Sequence, residues 1–178
     1  MNFSAISRDQ WYGKALRAPL HLLPKRLIVP ILQGPARGSL WVVGSSNHGC
    51  WLGSYEYRKA RAFAARIPSG SVVWDVGAHV GYYTLIAARR VGPSGRIVAV
   101  EPFPPNLLLL RRHLGLNRRS NVSIIEGALS DHDGEGYLRE GPSSSECCLS
   151  DSGIRVHCFT LDTLVFRNGL PAPEVLKI

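Results

Sequence analysis

Long hydrophobic runs are what this sequence most lacks. The longest, Leu27 to Leu32, is six residues and contains Pro30. A helix that crosses a bilayer needs about 20 apolar residues, so no membrane span is expected. Met1 is followed by polar residues and by no apolar stretch of the signal-peptide kind, which argues against a secretory leader. Cysteine is scarce too. Cys50, Cys147, Cys148 and Cys158 form neither CxxC pairs nor a dense framework. That excludes a disulfide scaffold, predicts no metal site, and fits reduced thiols in a cytoplasm. Repeats and low-complexity tracts are missing as well. What remains is a chain of 178 residues with 45% apolar and 19% charged residues. That balance suits one folded domain with a real core, or one domain plus a short arm.

The net charge of +8 suggests nucleic acid until it is located. Residues 1–70 carry 10 Lys and Arg against Asp9 and Glu56 alone, and residues 71–178 carry 11 of each sign. The body is neutral, and the excess belongs to the leading segment. Within the leading arm, residues 1–37, residues 9–33 mix Trp, Leu and Ile with basic residues and are broken by Pro19, Pro24 and Pro30. They read as an arm of short helical turns that packs on the domain or on the acceptor cleft, not as a nucleic-acid site. Residues 38–70 read as a β-hairpin and a lead-in helix, "SLWVV" returning as "CWLGSY" in the hairpin. An amphipathic helix follows, with Ala60, Phe63, Ala64 and Ile67 on one face, and Pro68 and Gly70 end it.

From Ser71 the pattern alternates. "SVVWDV" and "RIVAVE" are continuous apolar runs, as strands buried on both faces should be. "YYTLIAARR" and "NLLLLRRHLGLN" are helices, the second opened by Pro104 and Pro105. "NVSIIEG" is a third strand, "YLRE" a short one and "IRVHCFT" another. A short helix over 161–168 leads to a last strand, "PEVLKI". The order predicts an α/β fold, a doubly wound and mostly parallel Rossmann-like sheet over 71–178. The chain stops at Ile178 inside an apolar run, so the sheet is expected to be incomplete at its C-terminal end, in a fragment of limited competence.

The chemistry concentrates in Asp75-Val76-Gly77-Ala78-His79-Val80-Gly81, between the first of these strands and its helix. Glycine there admits a ligand to the backbone, and the helix start offers N–H groups and a positive dipole end. Glu101 falls 24 residues after Gly77, at the end of the next strand, where a carboxylate accepts hydrogen bonds from ribose hydroxyls. A dinucleotide turn needs GxGxxG so that its middle glycine clears a pyrophosphate. Here His79 fills that place and the pattern is DxGxxxG. A nucleoside ligand without pyrophosphate fits better, and S-adenosylmethionine is one: adenosine, a sulfonium and an amino-acid tail.

"VVWDVGAHVGYYTLIAARRVGPSGRIVAVEPFPPN" resembles the core of the FkbM-type methyltransferases, a class I S-adenosylmethionine-dependent family. "HGCWLGSYE" upstream and "GALSD", "FTLDTLV" and "PEVLKI" downstream extend the resemblance over roughly 40–178. It implies methyl transfer from S-adenosylmethionine to a hydroxyl of a small-molecule acceptor, a sugar or secondary metabolite. It also implies roles. Gly77, Ala78 and Gly81 would cradle the methionine tail, and Asp75 would anchor its amine. Glu101 would bind the ribose, Ala128 would lie by the adenine, and Glu56 with Tyr55 would close over the methionine end. Plainer readings stand beside these: Asp75 as a turn cap, the glycines as packing residues, Glu101 as a solvated acid, His79 as a polar loop residue. A nicotinamide oxidoreductase, a nucleic-acid methyltransferase and a non-catalytic cofactor-binding fragment are the rival functions. The sequence names neither a general base nor an oligomeric state.

Overall fold

A computed structural model describes residues 18–139, 141 and 148–178. The chain forms two compact units, Met1–Arg66 and Ile67–Ile178. Residues 1–17, nearly half of the basic arm, and Cys147 lie outside the described residues.

In the first unit Ala18–Leu22 is a single 3-10 turn, the short helical turn expected of a proline-broken segment. Strand β1 (Ile28–Pro30) pairs antiparallel with β2 (Leu40–Val42). The hairpin expected over 38–55 is therefore corrected: its first arm is β2, but the partner lies upstream. Its second arm is a short helix, α1 (Gly49–Leu52). Gly53 ends that turn at φ 72°, its N–H bonded to the carbonyls of Gly49 and Cys50. A Cβ there would fall 2.0 Å from the Gln33 carbonyl oxygen, so glycine closes the helix where the backbone crosses another segment. Helix α2 (Tyr57–Ala65) follows and buries Ala60 and Ala64.

The second unit holds the parallel sheet. Strands β3 (Val72–Val76), β4 (Arg96–Glu101) and β5 (Val122–Glu126) run side by side, joined by helices α3 (Tyr82–Val91) and α4 (Pro104–Leu116). β6 (Ala128–Leu129), β7 (Gly134–Arg139), β8 (Cys148–Ser150) and β9 (Ile154–Phe159) come next, then β10 (Val175–Lys177). The main sheet has the order β10-β3-β4-β5, every neighbour parallel. Side chains alternate across it. Trp74, Val98 and Val100 pack with Leu164 on one face. Val73, Ile97 and Ala99, of the other parity, are also fully buried. Trp74 contributes the largest buried side chain of that first face, and its indole N–H is satisfied by the Pro171 carbonyl at 2.9 Å.

The strand expected at "IRVHCFT" exists as β9 but joins a second, mixed sheet of order β6-β9-β7-β8. Phe103, Leu138 and Val156 form a small core between that sheet and the end of β4. Leu164 lies in a π-helical turn, Thr163–Arg167, that leads to β10. β10 enters beside β3, on the side opposite β4, so the strand order reverses at β3. In open parallel sheets ligands bind outside the carboxyl ends of the strands at such a switch point.

Candidate functional site

Three residues of the turn after β3 sit in the left-handed region: Gly77 (φ 66°), His79 (φ 53°) and Gly81 (φ 94°). The two glycines answer different demands. A Cβ on Gly81 would lie 2.6 Å from Leu110 Cδ1, whereas a Cβ on Gly77 would meet nothing within 4 Å. Gly81 lets helix α4 pack close. Gly77, which is exposed, faces open space, and the clearance in front of it is available to a ligand.

The turn is tied to the ends of its neighbours. Ala78 N–H donates to the Val100 carbonyl at 3.0 Å and Gly81 N–H to the Ala78 carbonyl at 2.9 Å. His79 N–H donates to Glu101 Oε2 at 2.7 Å. His113, fully buried on α4, meets the Val80 carbonyl through Nδ1 at 2.7 Å. A carbonyl only accepts, so Nδ1 carries the proton. Burial lowers the His113 pKa to about 4, partly offset by that bond and helped by Arg112, so the ring is neutral. The His79 pKa is lowered too, by burial first and by the Lys177 charge second.

Glu101 is almost wholly buried. Besides His79 N–H, it accepts from Phe103 N–H and from Asn106 Nδ2, both at 3.0 Å on Oε1. A carboxylate has about four acceptor positions, and these three donors leave one, on Oε2. Asp75 is buried completely. Its Oδ2 accepts from the Thr84 hydroxyl at 2.6 Å, and its Oδ1 is 3.1 Å from Lys177 Nζ.

Asp75, Gly77, Ala78, Gly81 and Glu101 thus meet at the carboxyl ends of β3 and β4. Ala128 adjoins them: Gly127 N–H bonds to the Glu101 carbonyl at 3.3 Å, and Ala128 itself is buried in β6. Glu56 belongs to the first unit, where its carboxylate pairs with Lys59 at 2.7 Å. Four residues that shape the site escaped the sequence reading: Thr84, Asn106, His113 and Lys177. Lys177 alone left a signal, a lysine inside an otherwise apolar strand. Among the described residues no cluster of three or more His, Cys, Asp or Glu could hold a metal, and no helix is long and apolar enough to cross a membrane. Cys50 is buried, and burial pushes its thiol up to about 12, which removes it from thiolate chemistry.

A nucleoside with an amino-acid tail fits this geometry at two points, the clearance before Gly77 and the open acceptor position of Glu101. The match to a family model points the same way. The family model of the methyltransferase FkbM domain matches residues 75–178. A protein-L-isoaspartate O-methyltransferase of Methanothrix thermoacetophila is 39% identical over 74 residues, 41% of this chain and 33% of that protein. An arsenite methyltransferase of Halobacterium salinarum is 33% identical over 96 residues, 54% of this chain and 23% of that protein. The matches thus span a third or less of these curated relatives. Among solved structures, a precorrin-6y C5,15-methyltransferase of Geobacter metallireducens is 30% identical with a TM-score of 0.36, covering 40% of this chain and 37% of its own.

Proposed function

The chain belongs to the FkbM methyltransferase family, a group dependent on S-adenosylmethionine, and from that premise we propose that it catalyses methyl transfer to a hydroxyl oxygen of a sugar or secondary metabolite. The observation that carries the reading is the bond between the turn and the second strand, His79 N–H to Glu101 Oε2 at 2.7 Å. It ties the turn proposed for the tail to the acid proposed for the ribose. S-adenosylmethionine supplies, when bound, a methyl group already activated on a sulfonium.

The protein's task is then alignment and exclusion of water. Gly77 gives backbone clearance for the tail. Glu101 offers its remaining acceptor position to a ribose hydroxyl, and a second hydroxyl must share with or displace one of the three donors already there. Ala128, small and buried, follows the Gly127 that bonds to the Glu101 carbonyl and would lie by the base. The turn lacks the middle glycine that a pyrophosphate requires, which supports this ligand over NAD.

Isothermal titration separates the two. S-adenosylhomocysteine is expected to bind and NAD to bind more weakly or not at all. Tighter NAD binding would overturn the assignment. The acceptor class is read by incubating the protein with methyl-labelled cofactor and pools of small hydroxylated metabolites, RNA or protein. Label in the small-molecule pool supports the proposal, and label confined to RNA or protein would replace it.

A further inference from the structure

Lys177 ends β10 directly across from Asp75 in the parallel register. Its side chain is three-quarters buried, and its ammonium lies within reach of three oxygens: Asp75 Oδ1 at 3.1 Å, the Val76 carbonyl at 3.1 Å and the Gly77 carbonyl at 3.2 Å. The ring of Tyr83 lies 5.4 Å from the same nitrogen, close enough for a cation–π contact. Two of its N–H donors go to the carbonyls, whereas Asp75 Oδ1 is held by charge alone and has no hydrogen-bond partner. The chain contains only four lysines against seventeen arginines. A compact ammonium suits three converging oxygens, whereas a planar guanidinium does not.

The arrangement sits at the switch point of the sheet, on the turn that the proposed function assigns to the cofactor's amino-acid tail. That tail carries an ammonium of its own. The oxygens that would attract it, the buried Asp75 carboxylate and the exposed Gly77 carbonyl, are those that Lys177 already holds. Within the protein Asp75 has a hydrogen bond from Thr84 on Oδ2 and the Lys177 charge beside Oδ1, which accepts no hydrogen bond. The turn therefore presents a carboxylate that is already ion-paired, with its Oδ1 still lacking a hydrogen bond.

We infer that Lys177 is a tethered ammonium occupying the cofactor's tail-ammonium position in the free protein, and that it sets how strongly the site distinguishes tail-bearing from tail-less adenosyl ligands. The inference rests on the S-adenosylmethionine reading. A ligand ammonium must displace Lys177 from the Gly77 carbonyl or approach it against like charge. Removing the lysine frees the acceptors and leaves Asp75 seeking a cation, so ligand ammonium becomes more favourable there.

The test compares the chain with its K177M variant against three probes. These are S-adenosylhomocysteine, an adenosyl thioether bearing an aminopropyl group in place of the amino-acid tail, and 5′-methylthioadenosine, which has no tail. The readouts are the dissociation constants by titration and the melting temperature of the free and liganded protein. In K177M the preference for the aminopropyl ligand over methylthioadenosine is expected to rise about tenfold or more. The free protein is expected to melt lower and to be rescued more by the aminopropyl ligand than by methylthioadenosine. If K177M does not fold, D75N/K177M removes both charges together. Its preference for the aminopropyl ligand should still exceed that of the unsubstituted chain, because the two carbonyls are released. A preference that is unchanged or reduced in whichever variant folds overturns the inference while leaving the cofactor assignment intact. Failure of the unsubstituted chain to bind any adenosyl probe overturns both.

Discussion

His79 donates its backbone N–H to Glu101 across 22 residues, at 2.7 Å, and does so from a left-handed conformation that a non-glycine residue rarely adopts. The bond compensates that conformation, and it makes Glu101 a structural centre as well as a candidate ligand group. Three protein donors converge on one carboxylate, from the turn, from the residue before α4 and from the first turn of α4.

Glu101→Gln tests this double role. The amide has one acceptor oxygen and an NH2 group, so at least one of the three donors faces another donor. A buried donor left unpaired costs about 1–3 kcal/mol. The denaturation midpoint should fall by that amount in free energy, and affinity for S-adenosylhomocysteine should fall about tenfold or more, a change of roughly 1.4 kcal/mol. Urea unfolding and titration are both needed. Weakened binding at an unchanged midpoint would show that the three protein bonds contribute nothing to folding.

The two glycines should separate in the same pair of measurements. Gly77→Ala meets no atom and pays only for its positive φ, about 1–2 kcal/mol. Its larger effect should be on ligand affinity, because the new methyl enters the open space. Gly81→Ala carries the same conformational strain and also collides with Leu110, a side chain with no exposure. Its stability loss should be larger, about 2–4 kcal/mol. Equal stability losses, or an unchanged affinity for Gly77→Ala, would contradict this division.

Thr84→Val keeps the shape of the side chain and deletes the hydroxyl that Asp75 Oδ2 accepts from at 2.6 Å. A hydrogen bond to a buried charged group is worth roughly 1.5–3 kcal/mol. The melting temperature should fall accordingly, while Thr84→Ser, which retains the hydroxyl, should fall less. A valine variant as stable as the serine variant would show that Asp75 does not depend on the bond.

These sites differ in how far the sequence exposed them. "SVVWDV" and "RIVAVE" were legible as inner strands because neighbours on both sides and layers on both faces demand unbroken apolar residues. DxGxxxG was legible because positive φ and close approach select glycine. The partner of Leu40–Val42 was not, since β1 lies upstream across a loop and periodicity does not encode pairing. "CWLGSY" misled because Trp51 and Leu52 are adjacent apolar residues that suit a strand or a helical turn equally, and Gly53 decides the matter. Thr84, Asn106 and His113 read as ordinary helical residues. Their roles arise only when the fold brings Asp75, Glu101 and the Val80 carbonyl beside them.

His113 gives the turn a pH dependence whose sign is set by burial. Its folded pKa is lowered to about 4 from 6.5, while the unfolded chain titrates near the ordinary value. Between those values the unfolded state binds the proton that the folded state refuses, so stability rises with pH. The contribution is complete above about pH 6.5 and disappears as pH falls towards 4. Each pKa unit corresponds to about 1.4 kcal/mol, so the full effect is about 3 kcal/mol. His79, lowered in the same direction, adds to the slope, so the measurement must be differential. His113→Gln cannot titrate and still offers an N–H to the Val80 carbonyl. Urea denaturation of both proteins across pH 4.5 to 7.5 should give curves that converge at the acid end, the histidine form losing more as pH falls. Parallel curves would show that His113 takes up its proton equally in the folded and unfolded states, and that burial does not hold its pKa down.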